Sequence, residues 1–170
     1  MPFLRKIVIS LLFLICSFQA MAQSNLRNLP DVELKTLAGE NVKSTSLINS
    51  EGLTIINFWA TWCKPCVLEL NSIAEVLADW KKEINLRFLA VSIDDSRNTS
   101  KVGPLVNGKS WPFEIFLDPN SEFKRALNVN NIPHTFLLNS KGEILWQHNS
   151  YSPGDEDELF EVIRKFDTKP

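Results

Sequence analysis

The sequence is short of most features that would mark an unusual class of protein. Its 170 residues carry a formal net charge of −2, with both signs mixed along the chain, so it has no electrostatic footprint for nucleic acid. No segment is low in complexity and no internal repeat recurs, which leaves an ordinary globular domain. No apolar run reaches the roughly 20 residues a helix needs to span a bilayer, and the run over residues 7–18 falls short of it. Cysteine is scarce: the three are Cys16, Cys63 and Cys66, too few for a disulfide framework. A domain of this length buries a sizeable core without covalent staples.

What is present begins with Arg5 and Lys6, followed by that apolar run and then Ala20-Met21-Ala22. This is the pattern of a secretory signal with small residues at the cleavage site. Residues 1–22 are expected to be a signal peptide and residues 23–170 a single domain, with membrane contact only if the segment is retained. Ile15 sits where lipid attachment at Cys16 would want a small residue. Removing the signal leaves Cys63 and Cys66, and a bridge between cysteines this close gains little loop entropy. Reactivity explains the pair better than stapling does.

Residues 32–36 and 41–43 flank Ala38-Gly39 and predict a hairpin. Residues 53–60 are almost continuously apolar, as in a central strand covered on both faces. From Lys64 to about Glu83, Cys66, Leu70, Ile73, Leu77 and Trp80 step by four and three, one buried helical stripe. Residues 86–93 form a second central strand and complete a βαβ unit with parallel pairing. A short helix is expected over residues 99–106, a strand over 114–117 and a short helix over 121–127. Residues 135–138 and 143–147 alternate around Asn139-Ser140-Lys141-Gly142, another hairpin signal. The last helix, over residues 155–166, has acids in its first turn and Arg164 and Lys165 in its last, matching the helix dipole at both ends.

The chemistry concentrates where the first central strand meets the long helix, at Trp62-Cys63-Lys64-Pro65-Cys66. A helix starting there leaves backbone N–H groups unpaired near the Cys63 sulfur and favours its thiolate. Cys66, on the next turn, can close a reversible disulfide. Pro65 suits a first helical turn, and Lys64 adds weak electrostatic support to the thiolate.

The run from Asn57 to Cys66, with Asn131-Ile132-Pro133-His134-Thr135-Phe136 further on, resembles the exported TlpA/ResA-like branch of the thioredoxin-fold oxidoreductases. The resemblance implies an α/β thioredoxin-like fold: a central mixed sheet flanked by helices, with an N-terminal hairpin and an insertion after the βαβ unit. It implies that Pro133 is a cis-proline facing the disulfide, in a loop along which a substrate peptide pairs like an added strand. Trp62, Pro65, Ile132, Pro133 and His134 then form the substrate-contacting surface, with Trp59 either beside them or in the core. Cys63 is the implied nucleophile and Cys66 the resolver. Asn57 stands where cytosolic thioredoxin has a buried aspartate. Proton transfer therefore falls to Glu69, unless that residue is simply a surface glutamate.

His134 either approaches Cys63 or turns to other partners, and His148 is expected to be exposed. The implied activity is thiol-disulfide exchange by a monomer, reductive in direction, on protein thiols and disulfides, for example in cytochrome c maturation. It needs an upstream electron donor and no cofactor beyond the Cys63–Cys66 disulfide. The competing reading is a copper or zinc module using Cys63, Cys66 and His134 as ligands. Peroxidase chemistry is disfavoured, since Ala60 stands where a Thr-x-x-Cys arrangement needs threonine.

Overall fold

The computed structural model describes residues 26–167, so the signal segment expected over residues 1–22 lies outside the described residues. Strand β1 (Glu33–Thr36) and β2 (Asn41–Lys43) form the first hairpin, and β3 (Leu53–Trp59) leads into helix α1 (Lys64–Glu83). Then come β4 (Leu86–Ser92), α2 (Val102–Lys109), β5 (Glu114–Leu117) and α3 (Glu122–Ala126). The chain closes with β6 (His134–Leu138), β7 (Ile144–Asn149) and α4 (Asp155–Phe166). One mixed sheet of seven strands runs β2-β1-β5-β4-β3-β6-β7. β3 pairs parallel with β4 and antiparallel with β6, so the expected βαβ unit lies at the sheet centre.

Every residue of β3 is buried, because helices cover one face of the sheet and α3 with the N-terminal segment covers the other. α1 turns Leu70, Ile73 and Leu77 onto the first face, each essentially without solvent exposure. Each such side chain stabilises the fold by about 1.5–3 kcal/mol. α4 adds Leu159 and Ile163 to the same core, and Phe160 stacks on Trp80 of α1 at 5.0 Å between ring centroids. The second core gathers Ile56, Phe58, Phe123, Phe136 and Leu138.

The α2 helix begins three residues later than the pattern predicts, after a short 3-10 turn over Thr99–Lys101. Pro104 has no N–H to donate and therefore fits only in a first turn. The second hairpin begins at His134 and extends to Asn149, since those two residues pair with each other. Its turn is closed by Gly142 at φ 79°, a left-handed conformation that glycine adopts without a Cβ penalty, and by Asn139, whose Oδ1 accepts from the N–H groups of Lys141 and Glu143. Among the described residues, no helix is long and apolar enough to cross a membrane.

Candidate active site

Cys63 caps the N-terminus of α1 and is bonded to Cys66 in a disulfide. The Cys66 N–H also donates to Cys63 Sγ at 3.3 Å, so the unpaired end of the helix points at this sulfur. Cys63 retains 6% exposure and Cys66 none, so a partner can reach only the first sulfur. Pro65 is exposed in the first turn, as the spacing predicts.

The segment entering Cys63 is held by a buried carboxylate that the sequence did not advertise. Asp94 Oδ2 accepts the Thr61 N–H at 2.8 Å, and Oδ1 accepts the Thr61 hydroxyl at 2.6 Å. Ser92 Oγ donates to the same carboxylate at 2.7 Å. Trp62, next along, is 66% exposed and Leu68 is 47% exposed, which leaves apolar surface on both sides of the cysteine pair. Trp59 is not part of that surface: it lies fully buried and meets Trp111 edge-on at 5.1 Å, because it ends a strand covered on both faces.

The pairing of Phe58 with His134 brings Pro133 to the end of β3, the same end from which the chain runs into Cys63. The Ile132–Pro133 bond is cis, Pro133 is buried and Ile132 half-buried. His134 does not join the sulfurs. Successive strand residues face opposite sides of a sheet, and His134 shares the second-core face with Phe136, on which its ring stacks at 4.6 Å. Neither of its ring nitrogens makes a hydrogen bond. The three-ligand metal site is therefore not formed; among the described residues, no group of three His, Cys, Asp or Glu side chains is placed to hold a metal ion.

Burial holds the His134 pKa below its ordinary value of 6.5, and the nearby Gln147 side chain opposes the shift only in part, without meeting hydrogen-bond geometry. The sign follows: the unfolded chain binds a proton that the folded one refuses, so stability is lost as pH falls below 6.5. Replacing His134 with phenylalanine should remove this contribution, so that the urea-unfolding stability of the variant gains on that of the wild type as pH falls from about 6.5 to about pH 5. Unchanged pH dependence in that variant would contradict this placement of the ring.

Thr135, one residue on, faces the other side and meets Glu69. Glu69 is buried under the first turns of α1, with 6% exposure. Asn57 Nδ2 donates to Glu69 Oε2 at 2.8 Å and also to Thr135 Oγ1 at 2.8 Å. Thr135 Oγ1 donates in turn to Glu69 Oε1 at 3.2 Å. Burial raises the Glu69 pKa from 4.5 to about 7; the two hydrogen bonds pull it down, and the charges of Asp155 and Glu156 push it up. Asn57 cannot take a proton and instead orients the group that can. Thr135 was missed from sequence, although its place between His134 and Phe136 gives it the opposite face.

This topology, with the cysteine pair at the junction of a central strand and its crossover helix, is the thioredoxin-like fold. Residues 26–147 match the model of the AhpC/TSA family, and the chain belongs to that family. It is 34% identical over 145 residues to sporulation thiol-disulfide oxidoreductase A of Bacillus subtilis, a match covering 83% of this chain and 86% of that protein. With thiol-disulfide oxidoreductase ResA of Oceanobacillus iheyensis it shares 32% identity over 117 residues, which is 68% of this chain and 59% of that one. An uncharacterised thioredoxin-like protein of Porphyromonas gingivalis, known from its solution structure, is 45% identical with a TM-score of 0.73, covering 82% of this chain and 91% of that one.

Proposed function

We propose that this protein is an exported thiol-disulfide oxidoreductase that reduces disulfides in partner proteins. The observation that carries the reading is the pairing of a helix-capping disulfide, Cys63–Cys66, with a buried carboxyl poised near pH 7 at Glu69. In the reduced protein the Cys63 thiolate attacks a partner disulfide, forming a mixed disulfide and releasing one partner thiolate. Glu69 accepts the Cys66 proton, and the Cys66 thiolate then attacks Cys63 Sγ. The second partner thiolate leaves, and two electrons have passed from the dithiol to the partner.

Trp62 and Leu68 offer apolar surface to that partner, while Ile132 and Pro133 lie at the same end of the sheet. Export is supported by the signal-like pattern over residues 1–22. The names of the curated relatives support the exchange chemistry, and the ResA-like branch supports a task such as keeping apocytochrome thiols reduced for haem attachment. The protein acts as a monomer with no cofactor beyond its disulfide and is recharged by an external dithiol donor. Equilibration with a dithiol buffer tests the direction. A potential near or below about −270 mV supports reduction, and one near about −120 mV overturns it in favour of oxidation.

A further inference from the structure

Glu69, on the helix that carries Cys66 three residues earlier, has two sides. One meets Asn57 and Thr135; the other opens into a small cleft of about 20 Å³ between α1, the second hairpin and α4. A space of that size holds roughly one water molecule. The polar groups around the cleft are Glu69 from α1, Thr135 from β6, His148 from β7, and Asp155 and Glu156 from the first turn of α4. Asn57 from β3 reaches the carboxylate from behind, and the Tyr151 hydroxyl accepts from Ser72 of α1 and donates to Glu156 at 2.9 Å.

The two acids of α4 are already engaged. Asp155 Oδ2 accepts the Ser152 N–H at 2.7 Å, and Glu156 Oε2 accepts from Tyr151 and from the Gly154 N–H. His148 differs from them. It is the direct cross-strand partner of Thr135, so its ring lies on the Glu69 side of the sheet. It stacks on Trp146, its Nε2 is 3.9 Å from Asp155 Oδ2, and its side chain is 43% exposed. The imidazole thus spans the distance from cleft to solvent, and imidazole is the side chain suited to carrying a proton in either direction near neutral pH.

We propose that His148, beside Asp155, is the proton-exchange residue of Glu69. The inference rests on the reading of Glu69 as the base for Cys66. After Glu69 has taken the Cys66 proton, that proton passes through one water in the cleft to the His148 imidazole, which accepts it at a ring nitrogen, and the imidazolium releases a proton to bulk solvent. The carboxylate is thereby restored for the next cycle, and no electrons move in the relay. His148 is a positioning and relay residue, since it touches neither sulfur nor substrate.

The test runs repeated turnovers, with excess fluorescent glutathione disulfide and dithiothreitol to re-reduce the Cys63–Cys66 pair, and follows the Cys63 adduct by acid quench and mass spectrometry. His148→Gln is expected to form the adduct at the wild-type rate, resolve it about tenfold more slowly near neutral pH, and recover most of the loss when free imidazole is added. Its Cys63–Cys66 potential should equal that of the wild type. Glu69→Gln should be slow with or without imidazole. Wild-type resolution by His148→Gln, or a slow rate that imidazole does not restore, overturns the relay. If Glu69→Gln itself resolves normally, the Glu69 reading fails, and the relay fails with it.

Discussion

Replacing Cys66 with serine should give a protein that attacks disulfides once and then remains attached to them. Cys63 keeps its position at the helix terminus and its access to solvent, so formation of the mixed disulfide is retained. Resolution then depends on a thiol from solution. An intramolecular nucleophile enjoys an effective concentration far above that of any external thiol, so turnover should fall on the order of a thousandfold or more. Partners should appear as reductant-sensitive adducts on non-reducing gels. Cys63→Ser should form none, because Cys66 has no exposed surface. Adducts on Cys63→Ser and none on Cys66→Ser would reverse the assignment of roles.

Glu69→Gln carries the second large effect, and it splits activity from stability. Loss of a general base costs about a hundredfold or more in the step it serves. Resolution of the mixed disulfide in the wild type should rise as pH passes about 7, where Glu69 ionises. In the variant it should rise only where ordinary thiol ionisation takes over, near pH of about 8.5. Stability moves the other way. Because the folded-state pKa is raised from 4.5 to about 7, the folded protein holds a proton that the unfolded chain has released in that interval. Stability therefore falls as pH rises through the interval, and above it the buried charge costs on the order of 3 kcal/mol.

The glutamine keeps an acceptor for Asn57 and presents a donor to Thr135, without the charge. Denaturant unfolding should find the variant matched to the wild type at low pH and more stable above neutrality. A variant less stable than the wild type above neutrality, or one with an unaltered pH–rate profile, would remove Glu69 from the mechanism. A more stable but slower protein is the pattern expected where a functional group is held at a cost in folding energy.

The Cys63-x-x-Cys66 pair, the βαβ unit and the final helix were legible in the sequence because each is written in local periodicity. The α1 stripe, the unbroken apolar run of β3 and the charge gradient of α4 all reappear in the fold. Three readings were open or incomplete for a common reason. Trp59 reads equally as rim or core until both faces of its strand are seen to be covered. His134 and Thr135 are adjacent, and alternation alone says only that they part; the pairing with β3 and β7 decides which one meets the site. His148 reads as exposed, and it is exposed, yet cross-strand pairing with Thr135 also sets it at the Glu69 cleft.

The sequence by itself determined where the reactive sulfurs lie, which of them caps the helix and which elements carry them, since capping and periodicity act over a few residues. Tertiary structure alone decided the surroundings of the Glu69 carboxyl. The Glu69 environment is assembled from Asn57, Thr135, Asp155 and Glu156, which come from three other elements of the chain. Desolvation, the largest influence on that carboxyl, exists only once those elements have packed.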